Sequence, residues 1–135
     1  MNGTTPTETS VREVTDRDFE AEVEKSREPT VVIFVSAACP HCATLMSLVG
    51  DFSREYRGRV RFVTLDVDAN PWTAERYGVR GSPTLTFFCH GRPVQELVGA
   101  LPPAAIQRQV EEFVVHGEEC VRKSTEINYD ISGYA

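Results

Sequence analysis

Hydrophobic residues recur along this chain at two different spacings, which predict an alternation of strands and helices. Residues 30–36, Thr-Val-Val-Ile-Phe-Val-Ser, form a continuous β-branched and aromatic run, which is typical of a strand buried on both faces of a parallel sheet. Leu45, Val49 and Phe52 then recur at helical spacing, and a glycine at position 58 ends the pattern. We therefore expect a central strand followed directly by an amphipathic helix.

Shorter elements precede this strand. Residues 11–14 predict a short edge strand, and Thr15 with Asp18 three positions later is typical of the cap of a helix. That helix would carry Phe19 on its apolar face and end near Arg27. The predicted order up to the central strand is thus strand, helix, strand.

A second strand and a short helix follow the amphipathic helix. Residues 60–66 predict the strand, and residues 70–77 predict the helix, which opens with a proline. The two aromatic residues of this helix, Trp72 and Tyr77, either form part of a surface around the site or pack beneath the helix in the core, and the sequence favours core packing.

A hairpin and a final helix complete the pattern. Residues 84–89 and 94–98 predict two antiparallel strands around a turn at residues 90–93. The last helix begins near the two prolines at 102–103. Its apolar face carries Ile106, Val110, Phe113 and Val114.

The hydrophobic pattern divides the chain into three parts. Residues 1–10 are small and polar, so they bury too little to offset their ordering entropy, and we expect a disordered lead. Residues 11–116 form one predicted domain. Residues 117–135 have lost the apolar periodicity and are predicted to be a mobile tail.

Composition narrows the class of protein. A chain of 135 residues with 41% hydrophobic residues is long enough for one adequate core. The formal net charge of -6 and the lack of a basic patch weigh against binding to nucleic acid or to an anionic membrane. No apolar run is long enough to span a membrane, and we find no secretory signal. The sequence therefore predicts a cytoplasmic protein.

The four cysteines of the chain are the main candidates for chemistry. Structural disulfides are rare in the cytoplasm, so we do not expect a disulfide-stabilised scaffold. A Cys-x-x-Cys pair in that setting is typical of a catalytic or metal-binding site. Cys39 and Cys42 form such a pair where the central strand gives way to the helix.

The local sequence around this pair favours a reactive thiolate. If Cys39 caps a helix that begins at Pro40, the unpaired N–H groups and the helix dipole stabilise its anion and lower its pKa. His41, when protonated, adds a positive charge nearby. Pro40 suits the first helical turn because its missing N–H would have no partner there.

Several separated motifs together resemble the thioredoxin family. They are the Cys-Pro-His-Cys segment at 39–42, Leu-Asp-Val-Asp-Ala-Asn-Pro at 65–71, Tyr-Gly-Val-Arg-Gly-Ser-Pro-Thr at 77–84 and Val-Gly-Ala-Leu at 98–101. The resemblance covers about residues 11–115. It implies an α/β thioredoxin fold, with a central mixed sheet of four to five strands and about four flanking helices.

The resemblance also implies roles for individual residues. Cys39 would attack the substrate disulfide, and Cys42 would resolve the mixed disulfide. Pro83 would be a cis proline opposite the cysteines, and Ser82 and Thr84 beside it would offer backbone groups to an extended substrate.

The function implied is that of a thiol-disulfide oxidoreductase that reduces or exchanges protein disulfides. Its partners would be protein disulfide substrates and a disulfide reductase or another dithiol donor. We expect no cofactor beyond the Cys39–Cys42 disulfide, no metal, and a monomer.

Four positions in and before the active-site motif depart from the family pattern. Pro40-His41 stands where typical thioredoxins have Gly-Pro, and Ala38 replaces a tryptophan. The Pro-His pair is similar to that of bacterial disulfide-forming oxidases, so we predict a more oxidising pair than in typical thioredoxins. Ile33 replaces a buried aspartate that would accept the proton of Cys42.

Three alternative functions remain open from sequence. One is an oxidase or isomerase with a more oxidising pair, and another is a non-catalytic interaction domain with the same fold. The third is a zinc-binding module, for which one short-spaced cysteine pair is fewer than structural zinc usually uses. Its possible ligands are Cys39, Cys42, Cys89, Cys120, His41, His90 and His116. On the favoured interpretation Cys89 merely ends a strand and Cys120 is a free thiol in the tail.

Overall fold

The computed structural model describes residues 11–99 and 101–134, without the side chains of residues 118, 119 and 121–134. The predicted disordered lead at residues 1–10 lies outside this description. In chain order the elements are β1 (Arg12–Glu13), α1 (Glu20–Glu24, a π-helical turn), β2 (Thr30–Val35), α2 (Cys42–Glu55), β3 (Arg61–Asp66), α3 (Pro71–Arg76), β4 (Thr84–Cys89), β5 (Arg92–Val98) and α4 (Pro103–Tyr134).

The strands form one mixed sheet in the order β1-β3-β2-β4-β5. β1 and β2 run parallel to β3, while β4 runs antiparallel to both β2 and β5. Val32 at the middle of β2 therefore lies between Val63 of β3 and Thr86 of β4. The predicted central strand and the predicted α/β class are confirmed.

Helices cover both faces of the sheet. Successive strand side chains point to opposite faces, so Val31 and Ile33 join one apolar cluster with residues of α2 and α4. Val32 and Phe34 join a second cluster on the other face, with residues of α1. β2 is buried on both faces, which explains why residues 31–35 are all apolar.

The β4–β5 hairpin is tighter than the predicted turn at residues 90–93. Cys89 pairs with Arg92, so the loop contains only His90 and Gly91. Both loop residues have positive φ, 53° at His90 and 78° at Gly91, as a two-residue hairpin turn of type I′ requires. Glycine adopts this backbone without a steric penalty.

The last helix extends past the predicted boundary at residue 116. Buried or half-buried positions continue at helical spacing from Ile106 through Val110 and Phe113 to Gly117 and Cys120. The periodicity was missed because glycine and cysteine occupy two of these positions. Glutamate, arginine and lysine among the following residues are good helix formers. That residues 117–135 are mobile stays a prediction.

Two predictions about single residues are wrong. Trp72 is 80% exposed, because it lies on the outer side of α3. Tyr77 packs as expected, with its ring 5.6 Å from Phe19 and 5.3 Å from Phe88. Cys120 is no free thiol, because it forms a disulfide with Cys89, and their Cα atoms are 6.1 Å apart.

Asp16 caps α3 from a distant part of the chain. Its carboxylate accepts hydrogen bonds from the N–H groups of Trp72, at 3.2 Å, and Thr73, at 2.8 Å. Burial raises the pKa of Asp16, but hydrogen bonds from Thr73 and Trp72 together outweigh it and the pKa is lowered. The carboxylate form therefore stabilises the folded state above the unfolded pKa, and this contribution is lost as the pH falls through the folded pKa.

We expect Asp16→Ala to lower the free energy of unfolding by about 1–2 kcal/mol at neutral pH, the usual effect of losing a helix cap. The charge-dependent part of the difference from wild type should begin to shrink as the pH falls through the unfolded pKa of about 4, and it should vanish only below the lowered folded pKa, where Asp16 is protonated in both states. Urea unfolding at several pH values measures this. Asp51→Ala, on the exposed side of α2, is the control. An equal loss at all pH values would contradict a role for the charge.

Candidate active site

The segment between β2 and α2 forms a turn before the helix starts. The N–H of Cys39 donates to the carbonyl of Ser36 at 3.1 Å, and the N–H of Cys42 donates to the carbonyl of Cys39 at 3.4 Å. The first helical bond joins the N–H of Leu45 to the carbonyl of His41, at 3.2 Å. Helix α2 thus begins at Cys42 with His41 as its N-cap.

The predicted helix start at Pro40, with Cys39 as the cap, is therefore wrong. The N–H of Cys42 donates to the carbonyl three residues before it, which is the hydrogen bond of a turn. Hydrogen bonds to the carbonyl four residues before, which define an α-helix, begin only at Leu45. Cys39 lies in the turn, three residues before the first helical residue. Pro40 lies inside the same turn, where a missing N–H leaves no bond unmade.

Cys39 and Cys42 are joined as a disulfide, and their Cα atoms are 5.5 Å apart. This separation is typical of disulfides. The two cysteines differ in burial, since Cys42 is only 7% exposed and Cys39 is half-buried. A reagent approaching from solvent therefore reaches the sulfur of Cys39 first.

A cavity of about 590 Å³ adjoins the turn. His41 and Pro83 both line it, together with the apolar side chains of Leu48, Leu101 and Ile106. The structure thus brings two of the predicted site residues to one apolar depression. It lies between α2 and the start of α4.

The segment around Pro83 is placed as expected in part. The Ser82–Pro83 peptide bond is cis, and the carbonyl of Pro83 accepts a hydrogen bond from the N–H of Gly99 at 2.9 Å. Ser82 is half-buried, but Thr84 is completely buried and pairs with strands on both sides. Both edges of β4 at Thr84 are thus occupied by neighbouring strands, and of the two residues beside Pro83 only Ser82 is accessible to a substrate segment.

A polar link that sequence reasoning missed holds the turn. The hydroxyl of Ser36 donates to the carboxylate of Asp68 at 2.9 Å, and the N–H of Ala38 donates to the hydroxyl of Ser36 at 3.3 Å. Ser36 follows β2 and Asp68 follows β3. The carboxyl ends of neighbouring parallel strands lie at the same edge of a sheet, which brings these two side chains together.

The position of the replaced aspartate is apolar. Ile33 is completely buried within the cluster on the α2 and α4 face. In the described ranges no three His, Cys, Asp or Glu side chains are grouped so that they could hold a metal ion. The zinc-binding alternative thus has no supporting cluster there. Among the same residues, no helix is long and apolar enough to cross a membrane.

Comparison with known proteins gives a consistent picture. The family model described as Thioredoxin matches residues 10–112. The chain is 35% identical over 102 residues to a thioredoxin of Synechocystis sp., covering 76% of this chain and 95% of that protein. It is equally identical over 102 residues to thioredoxin 2 of Chlorobaculum tepidum, covering 76% and 94%. A chloroplastic M-type thioredoxin of Brassica napus is 32% identical over 108 residues, covering 80% and 61%.

Proposed function

The chain belongs to the thioredoxin family and is a disulfide oxidoreductase, and from this premise we propose that it reduces or exchanges protein disulfides through Cys39 and Cys42. The observation that carries the proposal is the disulfide between a half-buried Cys39 and a shielded Cys42 at the start of α2. When this pair is reduced, the sulfur of Cys39 can attack a substrate disulfide and the sulfur of Cys42 can resolve the mixed disulfide.

The proposed cycle begins with the reduced pair. The thiolate of Cys39 attacks one sulfur of the substrate disulfide, which forms a mixed disulfide and releases the other substrate sulfur as a thiol. Cys42 then attacks the sulfur of Cys39, which closes the Cys39–Cys42 disulfide and frees the second substrate thiol. A dithiol donor returns two electrons and two protons to restore the pair.

The residues of the turn assist the first step. His41 is exposed at the N-cap of α2, where a protonated imidazole favours a nearby thiolate. Pro40 limits the conformations of the turn, so the two sulfurs stay within bonding reach. Both roles are part of the proposal.

The substrate is a protein disulfide in an extended segment. We infer that its apolar side chains enter the cavity lined by His41 and Pro83, because most of the neighbouring side chains there are apolar. Ser82 offers backbone groups to the segment. Thr84 is less suited to this role than Ser82, because both of its sides are paired within the sheet.

The direction of net electron flow depends on the reduction potential of the pair, and the Pro40-His41 segment between the cysteines favours an oxidising pair because it favours the thiolate. Ile33 offers no base to Cys42, which slows the release of substrate from the mixed disulfide. A more stable Cys39 thiolate favours the reduced dithiol, so it raises the reduction potential of the pair. Equilibration of the pair with glutathione mixtures measures this, and a potential near that of ordinary thioredoxins would contradict the oxidising alternative.

The remaining parts of the proposal concern the setting. We propose that the chain acts as a monomer in the cytoplasm, with a disulfide reductase or another dithiol donor as its electron source. The acidic net charge of -6 weighs against nucleic acid and anionic membranes as partners. Size-exclusion chromatography with light scattering tests the monomer, and cell fractionation tests the compartment.

Insulin reduction tests the proposed function. With dithiothreitol as donor, the wild-type chain should precipitate the insulin B chain several-fold faster than dithiothreitol alone, because the pair cycles between donor and substrate. The rate of dithiothreitol alone would instead support the non-catalytic interaction domain. Stoichiometric zinc in protein purified without chelators would support the metal-binding module.

A further inference from the structure

A second pair of cysteines meets at the end of the sheet far from the candidate active site. Cys89 ends β4, and on this strand Leu85, Phe87 and Cys89 all point to the face that α4 covers. Cys120 lies on α4 seven residues after Phe113, whose ring is 5.0 Å from that of Phe87. Seven residues make about two helical turns, so Cys120 lies on the same side of α4 as Phe113. Both cysteines therefore lie beyond the contact between Phe87 and Phe113, towards the same end of the sheet.

The two pairs are too far apart to exchange sulfurs within one chain. Cys89 comes six residues after Pro83 along an extended segment, and at about 3.3 Å per residue this places it about 20 Å from Pro83. Pro83 and His41 line the same cavity beside the first pair. A partner for the second pair must therefore come from solution.

The second pair is open to a small molecule. Cys89 and Cys120 are half-buried, and both line a cavity of about 400 Å³, a volume typical of small-molecule sites. His116, one helical turn before Cys120, and Glu112, one turn earlier, line the same cavity. One basic and one acidic side chain suit the carboxylate and ammonium groups of a zwitterionic peptide thiol.

We propose that Cys89 and Cys120 form a second reversible dithiol-disulfide couple, which exchanges with small zwitterionic thiols and their disulfides independently of Cys39 and Cys42. In the oxidising direction one cysteine thiolate attacks the small disulfide, forms a mixed disulfide and releases one small thiol. The other cysteine attacks the mixed disulfide, closes the Cys89–Cys120 bond and releases the second small thiol. Two electrons and two protons pass from the cysteines to the small disulfide, and reduction reverses each step.

The test uses the full chain with Cys39→Ala and Cys42→Ala, so that only the second pair can react. The folded protein, checked by circular dichroism, is equilibrated with mixtures of reduced and oxidised glutathione without denaturant. Acid quenching, alkylation and mass spectrometry then count the thiols. We expect two alkyl groups per chain in reducing mixtures and none in oxidising ones, with both thiols changing together and the change reversing when the mixture is reversed.

Peptide mapping of the wild-type chain under the same mixtures follows the Cys89 and Cys120 peptides separately, and it decides the matter if the double variant does not fold. Adding Cys120→Ser is the matched control, because Cys89 alone can carry a glutathione adduct but cannot close a ring. A bond that resists reduction until the protein is unfolded would overturn the proposal, since it would then be a permanent cross-link. Two thiols that stay alkylatable or carry only glutathione adducts in oxidising mixtures would also overturn it.

Discussion

Cys39→Ser is expected to abolish the catalysed part of insulin reduction, so that the rate falls several-fold, to that of the dithiol donor alone. A serine hydroxyl is not ionised at neutral pH and cannot form a mixed disulfide, so the first step of the cycle is lost. The fold should persist, because Cys39 is half-buried in a turn and serine has nearly the same volume. Insulin precipitation measures the rate, and thermal unfolding checks the fold.

Cys42→Ser should fail at the next step instead. Cys39 can still attack, but no second sulfur releases the substrate, so a covalent adduct of chain and substrate should accumulate and disappear on reduction. Non-reducing electrophoresis detects it. Ala43→Ser, which adds a hydroxyl to the exposed next position of α2, is the matched control and should retain activity. Substantial turnover by Cys39→Ser, or an adduct on Cys42 in that variant, would reverse the assigned roles.

Gly91→Ala is expected to lower the free energy of unfolding by about 3–5 kcal/mol. A Cβ atom at Gly91 would lie 2.9 Å from the carbonyl carbon of Glu24 and closer still to its oxygen, and the residue has a φ of +78°. The left-handed backbone costs about 1–2 kcal/mol for alanine, and forcing the contact apart adds a similar or larger amount.

The segment at Glu24 has little freedom to move away. Its carboxylate accepts a hydrogen bond from the hydroxyl of Tyr77 and lies 3.1 Å from the guanidinium of Arg76. Burial, followed by this bond and the charge of Glu24, raises the pKa of Tyr77, so the hydroxyl stays a donor throughout the ordinary pH range. The hairpin tip and α1 would therefore have to separate for a side chain to fit at Gly91.

Gly58→Ala separates the two causes. Gly58 also has a positive φ, +86°, but no atom lies within 4 Å of an added Cβ. This control should lose only the backbone component, about 1–2 kcal/mol. Denaturant unfolding of both variants gives the comparison, and equal losses would contradict a steric role for Glu24.

Much of the fold could be predicted from periodicity alone. The run at residues 30–36 has no polar alternation and is rich in β-branched residues, which favours a strand buried on both faces and predicts that β2 is central. Leu45, Val49 and Phe52 showed which side of α2 faces the sheet. These positions are informative because large apolar side chains have few other stable places in a chain of this size.

The part of the candidate site that lies within a few residues of sequence could be predicted. Cys39 and Cys42 lie three residues apart, so their meeting needed no knowledge of the rest of the fold. The exact start of α2 could not be predicted, because a turn and a helix compete over the same few hydrogen bonds at a helix terminus. Ser36 and Asp68 meet across two strands, and one hydroxyl among many carries too weak a signal.

The meeting of Cys89 and Cys120 was hidden for a different reason. Gly117 and Cys120 continue the inward face of α4, but neither is a large apolar residue, so the sequence pattern of large apolar residues ends at Val114. Trp72 shows the opposite error. A large aromatic side chain was assigned to the interior, although a helix of six residues, Pro71–Arg76, buries only one narrow side.

The bond between Cys89 and Cys120 closes a ring of the chain, because the two cysteines are 31 positions apart. The ring contains β5 and the first half of α4, which supplies much of the core on one face of the sheet. A protease that cuts the backbone once inside this ring would release no fragment while the bond is oxidised. The two pieces of the cut chain would stay joined through the disulfide. If the cut lies between β5 and α4, no covalent bond would join α4 to the sheet once the second pair is reduced.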